Sequence, residues 1–250
     1  MSDGRVLLVT GGSRGIGAAV CRKAASQGWQ VMINYVSNEA AAQAVANEIA
    51  TAGGIAKIVQ GDTGTEEGIA AIFAAVDREF GRLDGLFNNA GVVDLKARLD
   101  SFSRERLERM FNINVIGAIR CAGEAVKRMS TAHGGRGGVI VNNSSMAALL
   151  GGPNFYVDYA ASKGAIDTLT IGLSKEVAAE GIRVNAVRPG IIDTEIHASG
   201  GTPDRAHAAA RDIPMQRPGL ADEVADAVTY LLSNQASYIT GAILNVSGGR

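Results

Sequence analysis

The stretch Val6-Leu7-Leu8-Val9-Thr10-Gly11-Gly12-Ser13-Arg14-Gly15-Ile16-Gly17 runs from four consecutive apolar residues directly into a glycine cluster. An unbroken apolar run suits a strand covered on both faces, as in a parallel sheet. Gly15 to Gln27 then reads as a helix, closed by Gly28. Glycines at such a turn permit a sharp bend and a close backbone approach to a pyrophosphate. The helix N-terminus adds unpaired N–H groups and a partial positive charge. Glycine clusters are common in turns. Placed at the first strand-to-helix turn, this one predicts a dinucleotide site built from Gly11, Ser13, Arg14, Gly15, Ile16 and Gly17.

The alternation continues outward. Strands are predicted at 30–35, 55–60, 83–87, 139–141, 182–187 and near 242–246. Helices are predicted at 39–52, 65–80, from Ser103 onward, 156–179 and 222–232. Glu66 and Glu67 suit the first turn of one helix, and Ser103 is a candidate cap for another. The order implies a single α/β domain over residues 1–250. Its expected core is a Rossmann-type, doubly wound parallel sheet of about seven strands, with helices on both faces and right-handed crossovers. Residues 195–219 are the least regular stretch and read as a mobile flap or short helices over a site.

Composition narrows the function classes. The chain carries 24 Lys and Arg against 25 Asp and Glu, a net charge of −1, with no basic run, so nucleic-acid binding has no electrostatic footprint. No apolar run reaches membrane-spanning length. The N-terminus passes straight into the first strand, which leaves no room for a signal peptide, and a cytoplasmic location is expected. Cys21 and Cys121 read as separate buried thiols, and His133, His197 and His207 lack metal-ligand spacing, so no metal is expected.

The second strand ends Ile33-Asn34-Tyr35-Val36-Ser37. It lacks the acid that NAD-binding sites place there for the ribose 2′-hydroxyl. Arg14 within the glycine loop could instead reach a 2′-phosphate with a charged fork. NADP(H) is therefore expected over NAD(H), with Asn34 and Tyr35 at the adenosine end; the plain alternative for Arg14 is a solvated surface side chain.

Far downstream, Tyr159-Ala-Ala-Ser-Lys163 sets a phenol and an ammonium four residues apart, on one face of a helix. The spacing by itself is ordinary. If the two side chains meet, the charge favours the phenolate, and the tyrosine pKa is expected to fall towards neutrality.

Together the glycine loop and the Tyr/Lys pair resemble the short-chain dehydrogenase/reductase family, over residues 5–249. Further stretches match. Asp62 and Thr63 resemble the adenine contact. Asn88-Asn89-Ala90-Gly91 resembles the segment lining the adenosine. Pro189-Gly190-Ile191-Ile192 and Thr194 resemble the segment holding the nicotinamide carboxamide. The resemblance implies four catalytic residues. Tyr159 exchanges the proton at the substrate oxygen. Lys163 lowers its pKa and bonds the nicotinamide ribose. Ser145 steadies the substrate oxygen, rather than its neighbour Ser144. Asn114 holds a water that links Lys163 to solvent. Hydride exchange between NADP(H) and a carbonyl or secondary alcohol follows, with NAD(H) possible.

The chain departs from the family pattern at Ser247, where an Asp is usual, and at Asn143, where an apolar residue is usual. Phe155 and Tyr156 suit either a substrate pocket or the core. The segments 197–201 and 213–217 resemble a bacterial subgroup similar to glucose 1-dehydrogenase, so a sugar or polyol dehydrogenase is a second reading. A cofactor sensor without turnover is a third, disfavoured by the intact Asn114, Ser145, Tyr159 and Lys163. The resemblance also implies a homotetramer, pairing the long helices through Ala118, Cys121, Ala122, Ala165 and Leu169, unless these residues cover the sheet. The substrate segments show mixed charge without an evident clamp, although Arg98, Arg205 and Arg211 are candidates for an anionic group.

Overall fold

The computed structural model describes residues 4–202 and 204–250; the side chains of His197 and Ser199 fall outside that description. The first half of the chain supplies β1 (Val6–Val9), α1 (Gly15–Ser26), β2 (Gln30–Tyr35), α2 (Glu39–Thr51), β3 (Ile55–Gln60), α3 (Glu66–Phe80) and β4 (Gly85–Asn88). A long helix follows, divided into α4 (Arg104–Phe111), a π-helical turn (Asn112–Gly117) and α5 (Ala118–Met129). Then come β5 (Gly138–Asn143), α6 (Ala147–Leu150), α7 (Val157–Glu176) and β6 (Ile182–Pro189). Two short helices, α8 (Ile196–Ser199) and α9 (Arg205–Ala208), precede α10 (Ala221–Leu232) and β7 (Ile243–Val246).

All seven strands are parallel, in the order β3-β2-β1-β4-β5-β6-β7. Within β1 the side chains alternate. Leu7 and Val9 enter the core beneath α1, α2 and α10, while Val6 and Leu8 enter the core beneath α3 and α5. This is why the strand reads as continuously apolar. The chain order reverses between β1 and β4, and the crevice outside the strands' carboxyl ends at such a point is where open α/β sheets bind ligands.

Most expected elements stand, with shifted ends. The fourth strand begins at Gly85 rather than Leu83, because its ladder to β1 opens at the Leu7–Gly85 pair. Ser103 caps α4, its hydroxyl accepting from Arg106 N at 3.2 Å. Thr65 caps α3 in the same way, through Gly68 N. Residues 195–219 form short helices, the second of the two expected forms; Pro203 lies outside the described residues.

On the first of the two long helices the expected pairing residues cover the sheet instead: Cys121 and Ala122 are buried in the core beneath α5, and Ala118 is buried as well, while Ala165 and Leu169 of α7 are half-buried. The outward side of this helix carries Ile116 and Ile119, and that of α7 carries Ile171, all exposed. The helix has apolar residues on two sides, and the sheet takes the small ones.

Candidate active site

The glycine loop is shaped by backbone crowding. Gly11 (φ 63°) and Gly15 (φ 51°) adopt left-handed conformations. A Cβ on Gly17 would lie inside contact distance of the Gly11 carbonyl oxygen. Gly12 N donates to Asn34 O at 2.8 Å, and Gly11 N to Asn34 Oδ1 at 3.1 Å. The Asn34 amide donates onward to Gly61 O at 2.9 Å. Asn34 is therefore fully buried and braces the loop from behind, and Tyr35 beside it is also buried. Arg14 is exposed at the helix start, with no ion-pair partner among the described residues.

The segment after β4 docks onto this loop. Thr10 Oγ1 accepts from Asn89 N (2.9 Å) and Ala90 N (3.0 Å), and Asn89 Nδ2 donates to Thr10 O and Gly11 O. Asp62 Oδ1 accepts from Gly64 N at 2.8 Å, which fixes the turn after β3, and Thr63 is buried there. From the other side of the crevice, Thr194 packs against Gly15, 3.4 Å from where a Cβ would stand. The absence of side chains at Gly11, Gly15 and Gly17, beside the α1 N-terminus, leaves a cradle that fits a dinucleotide pyrophosphate.

Asn143 has a role that the sequence reading left unexplained. Its Nδ2 donates to Asn89 Oδ1 at 2.9 Å, and its main-chain carbonyl accepts from Lys163 Nζ at 2.6 Å. Polar contacts thus run from the glycine loop through Asn89 and Asn143 to Lys163. Nearby, Asn88 Nδ2 bonds Asn142 Oδ1, and Asn142 Nδ2 bonds Thr170 Oγ1, tying β4 to β5 and α7. These asparagines were missed as a set because their partners lie 28 to 54 residues away in the chain.

Asn114 sits in the π-helical turn, where the wider winding presents its amide to the loop after β4. Its Oδ1 accepts from Val92 N (2.8 Å) and its Nδ2 donates to Val92 O (2.9 Å) and Ser162 Oγ (3.2 Å). A Cβ on Gly91 would stand 3.3 Å from Asn114 Oδ1 and 3.6 Å from Lys163 Nζ, so both side chains converge on that glycine.

Tyr159, Ser144 and Ser145 meet at a cavity of about 180 Å³, also lined by Ile16, Pro189, Gly190, Ile192 and Thr194. The Tyr159 phenol lies close enough to the Ser145 hydroxyl for that group to pull its pKa down. Ser144 is turned away: it is buried, and its hydroxyl donates to Lys163 O at 3.2 Å. The four expected catalytic side chains are therefore gathered in one place. Of the aromatic pair, Tyr156 lines the cavity while Phe155 is exposed beside it.

The expected fall in the Tyr159 pKa is corrected for the cofactor-free chain. Burial raises it above 10.0, against smaller downward pulls from the Ser145 hydrogen bond and the Arg205 charge. Burial also lowers Lys163 from 10.5 to about 8, opposed by Asp167. Lys163 lies 5.6 Å from the tyrosine ring centre, while its ammonium donates to Asn143 O. In this dry site the loss of hydration outweighs the attraction that the spacing suggested.

No metal-binding cluster and no membrane-length apolar helix occurs among the described residues. Residues 11–250 match the family model described as enoyl-(acyl carrier protein) reductase. The chain is 52% identical to YgfF, an uncharacterized oxidoreductase of Escherichia coli (strain K12), over 98% of this chain and 99% of that one. A Burkholderia cenocepacia short-chain dehydrogenase solved with NADP superposes with a TM-score of 0.90 at 33% identity, covering 99% of this chain and 97% of that one. A Brucella melitensis 3-ketoacyl-(acyl-carrier-protein) reductase solved with NADH gives a TM-score of 0.89 at 32% identity, covering 99% and 98%. With the glycine cradle, the Tyr159–Lys163 helix and these relationships together, the chain belongs to the short-chain dehydrogenase/reductase family of oxidoreductases.

Proposed function

We propose that this protein interconverts a secondary alcohol and a ketone or aldehyde with NADP(H), and uses NAD(H) less well. The observation that carries the reading is that Ser145 and Tyr159 line one cavity beside the glycine cradle, while Lys163 stands 5.6 Å from the Tyr159 ring centre and converges with Asn114 on Gly91. The exposed, unpaired Arg14 supports the 2′-phosphate preference.

Gly11, Ser13, Arg14, Gly15, Ile16 and Gly17 would hold the phosphates. Asp62, Thr63, Asn89, Ala90 and Gly91 would border the adenosine, with Asn34 and Tyr35 supporting from within. Pro189, Gly190, Ile192 and Thr194 would face the nicotinamide. When bound, the nicotinamide gives or takes the hydride.

The remaining work falls to the chain itself. Ser145 donates to the substrate oxygen and stabilises the charge that develops there. Tyr159 supplies the proton to that oxygen, or removes it in the reverse direction. Its raised pKa keeps it protonated at neutral pH, which suits the reducing direction. Lys163 stands behind it, bonded to Asn143 O, and would bond a ribose hydroxyl of the cofactor. Asn114, held by Val92, would anchor the water that returns protons to Lys163.

One domain would carry all of this, with residues 195–219 as the flap over the substrate. The exposed Ile116, Ile119 and Ile171 favour burial against a second copy, in keeping with a homotetramer. A panel of ketones, aldehydes and quinones, followed by NADPH consumption, tests the activity. Turnover of at least one class is expected; no turnover with either cofactor would count against it.

A further inference from the structure

Arg205 is a cation on the substrate side of the cavity with no protein group to neutralise it. It lies on α9 of the flap and lines the same cavity as Ser145 and Tyr159. Its guanidinium carbon is 5.0 Å from the centre of the Tyr156 ring and 5.7 Å from that of Phe155. Tyr156 is in turn held by its hydroxyl, which donates to Gly200 O at 3.4 Å. The guanidinium therefore rests on two aromatic faces in a defined place.

Stacking on ring faces uses none of the five N–H donors of arginine. Among the described residues Arg205 has neither a hydrogen-bond acceptor nor a carboxylate partner. On the same short helix His207, not Arg205, is the residue that faces Asp193, at 3.4 Å. The cavity lining holds two arginines, Arg205 and Arg250, and no Asp or Glu. Arg250 also borders the groove at Gly219 and Ser247, whereas Arg205 is the charge seated on the Tyr156 ring. That charge is felt at the reacting end, where it pulls the Tyr159 phenol towards a lower pKa.

We propose that Arg205 is a specificity-determining residue that selects a carbonyl substrate bearing a carboxylate, the carboxylate bonding its guanidinium while the carbonyl oxygen meets Ser145 and Tyr159. The proposal rests on the carbonyl–alcohol reading given above and names the substrate class within it. A planar guanidinium presents paired donors that match a carboxylate's two oxygens. A carboxylate in place there would engage the N–H donors that Arg205 leaves unused among the described residues.

The test compares meta- and para-formylbenzoate with the matching formylbenzamides as substrates, with NADPH, for wild type, Arg205→Gln and Arg205→Lys. The readout is the ratio of kcat/KM for acid over amide within each enzyme, which cancels any general loss of activity. Thermal unfolding of each variant checks that it is folded. In wild type the ratio should exceed about tenfold, with the difference mainly in KM, as expected for a charge-assisted pair. It should fall to about one in Arg205→Gln and stay between these values in Arg205→Lys, whose point charge lacks the fork. A wild-type ratio near one, or a high ratio that survives in Arg205→Gln, would overturn the inference and leave carbonyl reduction standing. Absence of turnover for every formylbenzoate and formylbenzamide would overturn this inference, and carbonyl reduction itself falls only if the ketones, aldehydes and quinones of the wider panel also fail with both cofactors.

Discussion

Lys163 Nζ donates to the main-chain carbonyl of Asn143 at 2.6 Å, and Asn143 Nδ2 reaches Asn89, which clasps the glycine loop. The buried ammonium is thus wired to the cofactor cradle rather than standing alone beside Tyr159.

Burial lowers Lys163 from 10.5 to about 8. Between those values the unfolded chain holds the extra proton, so this group makes stability rise with pH from about 8 to 10.5, and its penalty is fully present below about 8. The melting temperature of cofactor-free wild type, minus that of Lys163→Met, should therefore increase from neutral pH to about pH 10. Parallel melting curves for the two proteins would contradict it.

Arg106 and Asp158 form a forked ion pair, 2.6 Å through Nε and 3.2 Å through Nη2, with the Asp158 side chain fully buried. Arg106 also donates to Leu95 O at 2.7 Å and lies over the Phe102 ring, so one side chain ties the 95–102 segment to the start of the Tyr159 helix. Replacing Arg106 by Leu strands a buried carboxylate and should cost about 3–5 kcal/mol in urea unfolding. Arg106→Leu with Asp158→Leu should recover much of that loss. A double variant as unstable as the single one would show that the buried charge is not the cause.

Arg14 projects from the loop without a partner among the described residues. Arg14→Ala should lower kcat/KM with NADPH by about tenfold or more, through KM, and leave the value with NADH nearly unchanged. Equal losses with both cofactors would assign Arg14 to the loop's structure instead.

Ile116, Ile119 and Ile171 are the exposed apolar side chains of the long helices. If copies pair there, Ile116→Glu with Ile171→Glu should release monomers or dimers from a larger species in light scattering. An unchanged mass would move the interface elsewhere.

The glycine loop and the succession of strands and helices along the chain were legible because local chemistry decides them: an apolar run, a turn that only glycine tolerates, a helix start. Ser103 was likewise set by its own neighbours as a cap. Asn143 was not legible, since its meaning depends on Asn89 and Lys163, brought together only by β4, β5 and α7. The burial that reverses the shift of Tyr159 is also tertiary, and the four-residue spacing carries only the attraction. Cys121 and Ile119 both read as apolar helix residues; only the sheet decides which one faces inward.

The central claim is proton exchange at Tyr159, and Tyr159→Phe tests it most directly. The variant keeps the ring and its packing and loses the hydroxyl beside Ser145. With any substrate that wild type turns over, kcat should fall by at least about 10²-fold while NADPH binding, measured by fluorescence titration, stays within a few-fold. A variant with a near-wild-type kcat would contradict the account.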